Sequence, residues 1–210
     1  MNRLPRQIVL LVFLAFVTAQ AFLWGSLYSV RVAMNDEASK ESERRIIGRF
    51  TTMQEQTSLI ASDYHNWTDI FLAAQNLNYS ELSSNYGISA DRGEIFQYAE
   101  LFDGVFPDPV GWRAGNGLIP QEGFLSASMR TALREKITSL DITKRQTLDF
   151  FDIRSNRLVM FSSSYLLPED PKLLTQINPR LQAIATIGKI VSQSSLSDIT
   201  AEFSLSELSV

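Results

Sequence analysis

The fold of this chain is set by one stretch, residues 46–71, which read IIGRFTTMQEQTSLIASDYHNWTDIF. No proline occurs between Val32 and Gln75, so nothing there interrupts a continuous helix. Apolar or semi-apolar residues recur at alternating steps of four and three, at Ile46, Phe50, Met53, Thr57, Ile60, Tyr64, Trp67 and Phe71. This heptad spacing keeps one face of a helix against a partner surface. The stretch therefore predicts a long amphipathic helix that enters a globular domain.

Two partners are possible for this apolar face. The whole face can pack on the protein's own sheet, as most amphipathic helices do. Alternatively, the half nearer the N-terminus pairs with a second copy of the chain, through Ile46, Phe50, Met53 and Thr57. We favour the second arrangement, a homodimer, because a helix close to a membrane has little else to pack against.

A membrane segment is predicted upstream, where Ile8 to Val30 carries no charged residue. A spanning helix needs about 20 mostly apolar residues. Arg3 and Arg6 precede the run, which places the N-terminus in the cytoplasm and the rest outside it. The small-x-small sequence from Ala19 to Ala21 also fits a signal-peptide cleavage site, but the apolar run continues beyond it, so we favour an uncleaved anchor.

These features predict four segments: a cytoplasmic N-terminus (1–7), a transmembrane helix (8–30), a linker helix (31–62) and a periplasmic domain (63–210). The protein would be a single-pass protein of a bacterial inner membrane. The chain has no cysteine, one histidine and a net charge of −4. Disulfides, thiol catalysis and cysteine-bound zinc are therefore excluded, and no basic surface for nucleic acid is visible. We expect no metal and no cofactor.

The remainder of the sequence predicts an α+β domain. Residues 76–91 and 107–120 are rich in turn-forming residues and are expected to be loops. The apolar stretch 95–106 predicts a buried strand followed by a turn at Asp103-Gly104. Residues 181–191 predict another strand, and residues 146–166 predict a hairpin. A second amphipathic helix is expected around residues 125–137, and a short helix from 195 to 199. Helices covering an antiparallel sheet define the α+β class.

A ligand site is predicted around the segment 63–71. Asp63 or Asp69 would bind an amine or another small polar molecule between aromatic walls formed by Tyr64, Tyr79, Tyr86 or Trp112, with Trp67 beside them. We favour the other interpretation, a structural one, in which Trp67 lies in the core and fixes the helix to the sheet, and Trp67→Ala then costs about 3–5 kcal/mol. The lone His65 is expected to be solvated. No motif for an enzyme is present.

The order of these features resembles the CHASE4 family of bacterial extracytoplasmic sensor domains. The likeness lies in the anchor, the long helix and the run Asp63-Tyr64-xx-Trp67-Thr68-Asp69-x-Phe71, which is similar to the family's Asp-[Tyr/aliphatic]-x-x-Trp-Asp-Asp-x-aromatic signature. Thr68 stands where the family has its first Asp, so Asp69 alone carries the acidic role. The resemblance implies a PAS-like sheet with the long helix packed on it.

The resemblance also implies a function. The chain would be the input half of a receptor that detects a small molecule, without catalysis of its own, and the output domain would commonly control cyclic-di-GMP turnover. The alternative is a non-catalytic periplasmic protein that uses the same fold to dock a protein partner. Either the chain is the input part of a longer receptor, or it is a short protein without an output domain.

Overall fold

The computed structural model describes the backbone of residues 4–175, 177–178 and 182–197, with side chains from residue 11 onward except 12 and 15. Arg3, the first residue of the strand predicted over 181–191 and the last two residues of the helix predicted over 195–199 lie outside the described residues. The chain divides into two compact units, Met1–Arg49 and Phe50–Val210. Among the described residues, no helix combines the length and the apolar character needed to cross a membrane.

The helices are α1 (Leu4–His65), α2 (Thr68–Gln75), α3 (Tyr79–Leu82), α4 (Ile88–Arg92), α5 (Ala127–Thr138) and α6 (Pro171–Leu174). A π-helical turn, Ser83–Gly87, joins α3 to α4, and Ile142–Lys144 form a short 3-10 turn. The strands are β1 (Tyr98–Phe102), β2 (Val110–Arg113), β3 (Gln121–Glu122), β4 (Leu148–Arg154), β5 (Arg157–Tyr165) and β6 (Ile184–Ile190). Residues 193–197 are also helical.

The six strands form one sheet in the order β3-β2-β1-β6-β5-β4, and every neighbouring pair is antiparallel. Because side chains alternate along a strand, each strand contributes to two faces. The α1 face packs against residues 50–65 of α1 and against α2 to α4. The α5 face packs against Leu133 and Ile137 of α5. The second unit is therefore α+β with a long N-terminal helix, as predicted.

Several predicted elements are confirmed. The hairpin is β4 and β5, paired from Leu148 opposite Ser163 to Arg154 opposite Arg157. The second amphipathic helix is α5, whose Ser126 accepts a hydrogen bond from the Met129 N–H at 3.2 Å as its N-cap. The first strand is followed by the predicted turn, in which Asp103 and Gly104 both have positive φ.

Two predicted loops are wrong. Residues 79–92 are helical, because Leu82, Tyr86 and Ala90 recur at steps of four and are all fully buried on the α1 face. Burial of that stripe outweighs the turn-forming composition of the segment. Residues 107–120 contain β2, whose Trp112 pairs with Ala99 of β1 and is buried. The tertiary pairing sets the structure there.

Candidate functional site

The Trp/Asp segment does not continue the long helix. Helix α1 ends at His65, and Trp67 has extended backbone angles (φ −83°, ψ 122°) at the start of α2. The Leu167 N–H donates to the His65 carbonyl at 2.8 Å, which satisfies one of the carbonyls that a helix end leaves open. Trp67 is consequently 47% exposed, and its predicted place in the core is wrong. A change of element, rather than a continuing heptad, sets its environment.

The two predicted acidic ligands are both at the surface. Asp63 is exposed in the last turn of α1, and Asp69 is exposed in the first turn of α2. An acidic residue in the first turn of a helix interacts favourably with the helix dipole, which gives Asp69 a structural reason to be there. A role of Asp63 and Asp69 in binding a ligand stays a prediction.

The predicted aromatic walls do come together, but as a packed cluster. Tyr64 contacts Trp67, Tyr86 and Phe96 with ring centroids 6.0, 5.9 and 5.0 Å apart. Tyr86 stacks on Trp112 at 6.2 Å, and both side chains are almost fully buried. These rings pack directly against one another. Three cavities of 200–440 Å³ in the described part of the chain are lined by other side chains. Tyr79, 37% exposed, contacts Phe106 instead.

His65 is buried rather than solvated, and this corrects the expectation for it. Its Nδ1 lies 2.7 Å from Ser164 Oγ, and Ser164 Oγ donates its own hydrogen to the Tyr165 carbonyl at 3.2 Å. His65 Nδ1 must therefore carry the proton, because the serine has none left to give. The Nε2 atom is buried without a partner among the described residues. Desolvation lowers the pKa of His65 to about 3.

Three of the four predicted dimer residues contact the chain's own sheet. Phe50 and Met53 pack against a cluster formed by Met160, Val191 and Leu196, and Thr57 is buried. The Phe50 ring also meets the edge-strand Phe151 at 5.8 Å in a perpendicular arrangement. Intramolecular packing is thus the arrangement for residues 50–57, while Ile46 is half-buried in the first unit. Pairing of two chains stays a prediction.

The more suitable place for a ligand is a cavity at the other face of the sheet. It lies at the end of the three central strands, where Phe102, Ile184 and Tyr165 are paired across β1, β6 and β5. We call it the α5 cleft; its volume is about 440 Å³. Its lining consists of Asp103, Gly104, Phe106, Arg134, Thr138, Tyr165, Gln182 and Ile184. This volume falls within the range of small-molecule sites.

An ion pair forms one side of the α5 cleft. Asp103 and Gly104 turn the chain directly after β1, both with φ near +60°, so that the Asp103 carboxylate meets Arg134 of α5. Arg134 Nε donates to one carboxylate oxygen at 2.6 Å and Nη2 donates to the other. The bond to Asp103 raises the pKa of Arg134. Such a two-point contact holds both charged groups in a fixed orientation.

Polar groups with free hydrogen-bonding capacity also line the cleft. Gln182 is 5% exposed, and its amide oxygen has no partner among the described residues. Burial, and secondarily the negative charge of Asp103, raises the pKa of Tyr165. Thr138 Oγ1 is occupied, donating to the Arg134 carbonyl at 2.7 Å. A buried amide oxygen without a hydrogen bond costs stability. Gln182 therefore gives the cleft an acceptor whose hydrogen bond is not yet made.

A row of polar side chains crosses the same face next to the cleft. Glu100, Thr186 and Ser163 lie directly opposite one another on β1, β6 and β5, and all are fully buried. Ser163 and Thr186 are 2.7 Å apart through their hydroxyls. Glu100 accepts from the Leu125 N–H at 2.8 Å and from Arg130 at 3.1 Å. Burial raises the pKa of Glu100, whereas these bonds act against that shift.

Sequence reasoning did not find the α5 cleft. Asp103 was noted only as a turn residue, and Arg134 is one of many charges on the solvated side of a helix. Gln182 follows a proline-rich segment and carries no motif of its own. The one available signal was the pair of opposite charges, Asp103 after β1 and Arg134 in α5. Their proximity follows only from the strand order of the sheet.

Among the described residues, no group of three or more histidine or acidic side chains is placed to hold a metal ion. No protein-family model matches the chain, and no curated protein has a significantly similar sequence. The CHASE4 resemblance therefore rests only on the residues quoted for it.

Proposed function

We propose that this chain is the input domain of a bacterial signalling receptor, anchored in the inner membrane with its second unit in the periplasm. It binds a small polar molecule in the α5 cleft and transmits occupancy to α1. The observation that carries this proposal is the cleft itself, about 440 Å³ in volume and lined by an ion pair and by a buried amide oxygen without a partner. A cavity with a few convergent polar groups on an apolar floor is typical of a ligand site.

The second support is a short connection between the cleft and the end of α1. Tyr165 lines the cleft, and its chain neighbour Ser164 bonds His65 Nδ1 at 2.7 Å. Two residues beyond Tyr165, the Leu167 N–H donates to the His65 carbonyl at 2.8 Å. A ligand that moves this end of β5 therefore changes the contacts that hold the last turn of α1. Signalling requires that the ligand bind two arrangements of this connection with different affinity.

Membrane anchoring is part of the proposal and is supported by the uncharged run from Ile8 to Val30. Large apolar side chains on this part of α1, including Phe13, Phe16 and Phe22, are more than half exposed. Such a surface is unfavourable in water and favourable in lipid. The expected result is that the full chain stays in the membrane fraction after alkaline extraction. Release into the supernatant would remove the anchor from the proposal.

The PAS-like character of the domain, its homodimerisation and an output that controls cyclic-di-GMP turnover also belong to this proposal. They are supported by the resemblance of the segment 63–71 and by a fully antiparallel sheet with a long helix on one face. We also propose that the chain has no catalytic role of its own.

The test is a thermal-shift screen of the full chain, in mild detergent, against amines, amino acids and small carboxylates. A ligand at a hundred times its Kd stabilises the folded state by about 2.7 kcal/mol. Two threonines of α5 provide a matched pair of variants, because Thr138 and Thr131 each donate to the carbonyl four residues before, but only Thr138 lines the cleft. Thr138→Phe should abolish the stabilisation, whereas Thr131→Phe should leave it unchanged.

The outcomes separate the two candidate functions. A hit that Thr138→Phe removes supports the sensor and places its ligand in the α5 cleft. A hit that survives in both variants places the ligand elsewhere on the domain. A screen without any hit, on a sample that unfolds cooperatively, contradicts the small-molecule sensor and favours a docking protein.

A further inference from the structure

We propose that the ligand of the α5 cleft is a small zwitterion of the α-amino-acid type, with a free ammonium group and a free carboxylate. This inference rests on the proposed function and narrows it to one class of ligand. It is carried by the types of hydrogen-bonding group that line the cleft and by their charge.

The unused hydrogen-bonding capacity of the cleft consists of donors on Arg134, called here the donor side, and of acceptors on Asp103 and Gln182, called the acceptor side. Asp103 uses Nε and Nη2 of Arg134, so the Nη1 group of Arg134 has no partner among the described residues. A guanidinium carries five N–H donors, and this nitrogen can give two of them to a carboxylate. Each carboxylate oxygen of Asp103 keeps capacity for a further hydrogen bond. The buried amide oxygen of Gln182 has no hydrogen-bond partner among the described residues and can accept one as well. An ammonium group, which only donates, fits these two acceptors.

The charge of the cleft selects against ligands with one charge. Asp103 and Arg134 cancel each other, so the empty cleft is close to neutral. A ligand with only a carboxylate would be attracted by Arg134 but repelled by Asp103. A ligand with only an ammonium group would be attracted by Asp103 but repelled by Arg134. A zwitterion keeps the sum at zero and places each of its charges beside an opposite one. It does so without breaking the existing ion pair.

The remaining lining suits an apolar side chain. Phe106 and Ile184 are buried apolar residues of the cleft, and Tyr165 presents a ring beside them. A ligand with a charged head and an apolar tail therefore matches the cleft over its whole lining. Leucine and methionine have this form, and glycine does not.

The experiment titrates the full chain with L-leucine and with its two singly charged analogues, leucinamide and N-acetyl-leucine, by isothermal calorimetry. We expect L-leucine to bind at least about tenfold more tightly than either analogue, because each analogue loses one charge-assisted contact. If N-acetyl-leucine or leucinamide binds as tightly as L-leucine, the zwitterion inference is overturned while a small-molecule sensor remains. If none of the three binds and the wider screen also has no hit, the proposed function fails as well.

Two charge variants give a readout that a structural role would not produce. Arg134→Gln removes the donor side and should shift preference towards leucinamide, and Asp103→Asn should shift it towards N-acetyl-leucine. In each variant we expect L-leucine to lose about ten- to a hundredfold in affinity. Lys136→Gln is the control, an exposed charge of the same helix that does not line the cleft. Equal losses for all three ligands in both variants, without a change of preference, would contradict the inference.

Discussion

The buried His65 makes the stability of the second unit depend on pH between 5 and 8. The imidazole has an unfolded pKa near 6.5, and burial lowers its folded pKa to about 3. Below pH 6.5 the unfolded chain therefore binds a proton that the folded chain does not bind, and stability falls as the pH falls. Integrated from pH 8 to pH 5, this one group removes about 2 kcal/mol. The value changes little if the folded pKa is one unit higher.

The structure gives the reason for the low pKa. Nδ1 already donates to Ser164, so a second proton would go to Nε2, which is buried and has no acceptor among the described residues. The ring neighbour of His65 is Tyr86, whose pKa is raised by burial, so it carries no charge in this pH range, and Asp63 is exposed to solvent. Among the described residues, no group next to the ring offsets the cost of a buried charge, and desolvation alone lowers the pKa.

The assay is guanidinium unfolding of the wild-type chain and of His65→Gln at pH 5, 6 and 8, followed by tryptophan fluorescence. His65 is the only histidine, so the variant removes the whole effect. The difference in the free energy of unfolding between the wild-type chain and His65→Gln should change by about 2 kcal/mol between pH 8 and pH 5. Glu100 and Asp149, whose raised pKa values act in the opposite direction, are present in both proteins and cancel. The same pH dependence in both proteins would refute the reasoning.

Three further predictions concern stability and are checked by guanidinium unfolding at pH 7. Trp112→Ala should cost about 3–5 kcal/mol, because the Trp112 ring is buried. Trp67→Ala should cost only about 1–2 kcal/mol, because about half of the Trp67 surface is exposed. Equal costs would put both rings in the core. Gly188→Ala should cost about 1–3 kcal/mol, because a Cβ there overlaps the buried Phe161 ring, and an unchanged midpoint would show that the ring yields freely. Glu100→Leu should cost about 3 kcal/mol, because it removes the carboxylate that pairs with Arg130 and leaves the Leu125 N–H without an acceptor; a neutral result would mean that the ion pair contributes nothing.

The parts of the fold that follow a local pattern were predictable. The long helix, α5 and the β4–β5 hairpin each show a periodicity of three to four or of two, and each is present. The ends of these elements and the surroundings of their side chains were not predictable from the same patterns. The heptad spacing runs through Trp67, but the helix ends at His65, where Leu167 supplies a hydrogen bond from a distant part of the chain. A contact between residues so far apart in sequence leaves no local signal.

The site was harder to predict than the fold for the same reason. Asp103 and Arg134 belong to different elements, and only the order of the strands brings the end of β1 beneath α5. The buried state of His65 likewise depends on Ser164 of β5, which the sequence places ninety-nine positions away. Tyr64, Tyr86 and Trp112 belong to one aromatic cluster, whereas Tyr79 contacts Phe106 instead. The close packing of Tyr64 on Phe96 could not be read from spacing.

Hydrogen–deuterium exchange of the full chain, with and without an equimolar mixture of the proteinogenic L-amino acids, tests the central claim most directly. A sensor requires both a bound ligand and a response in α1. We expect slower exchange in peptides that contain Asp103 and Gln182, together with changed exchange in the last turns of α1 before His65. Protection at the cleft without any change in α1 would contradict transmission, and unchanged exchange throughout would contradict the cleft as a site for this class of ligand.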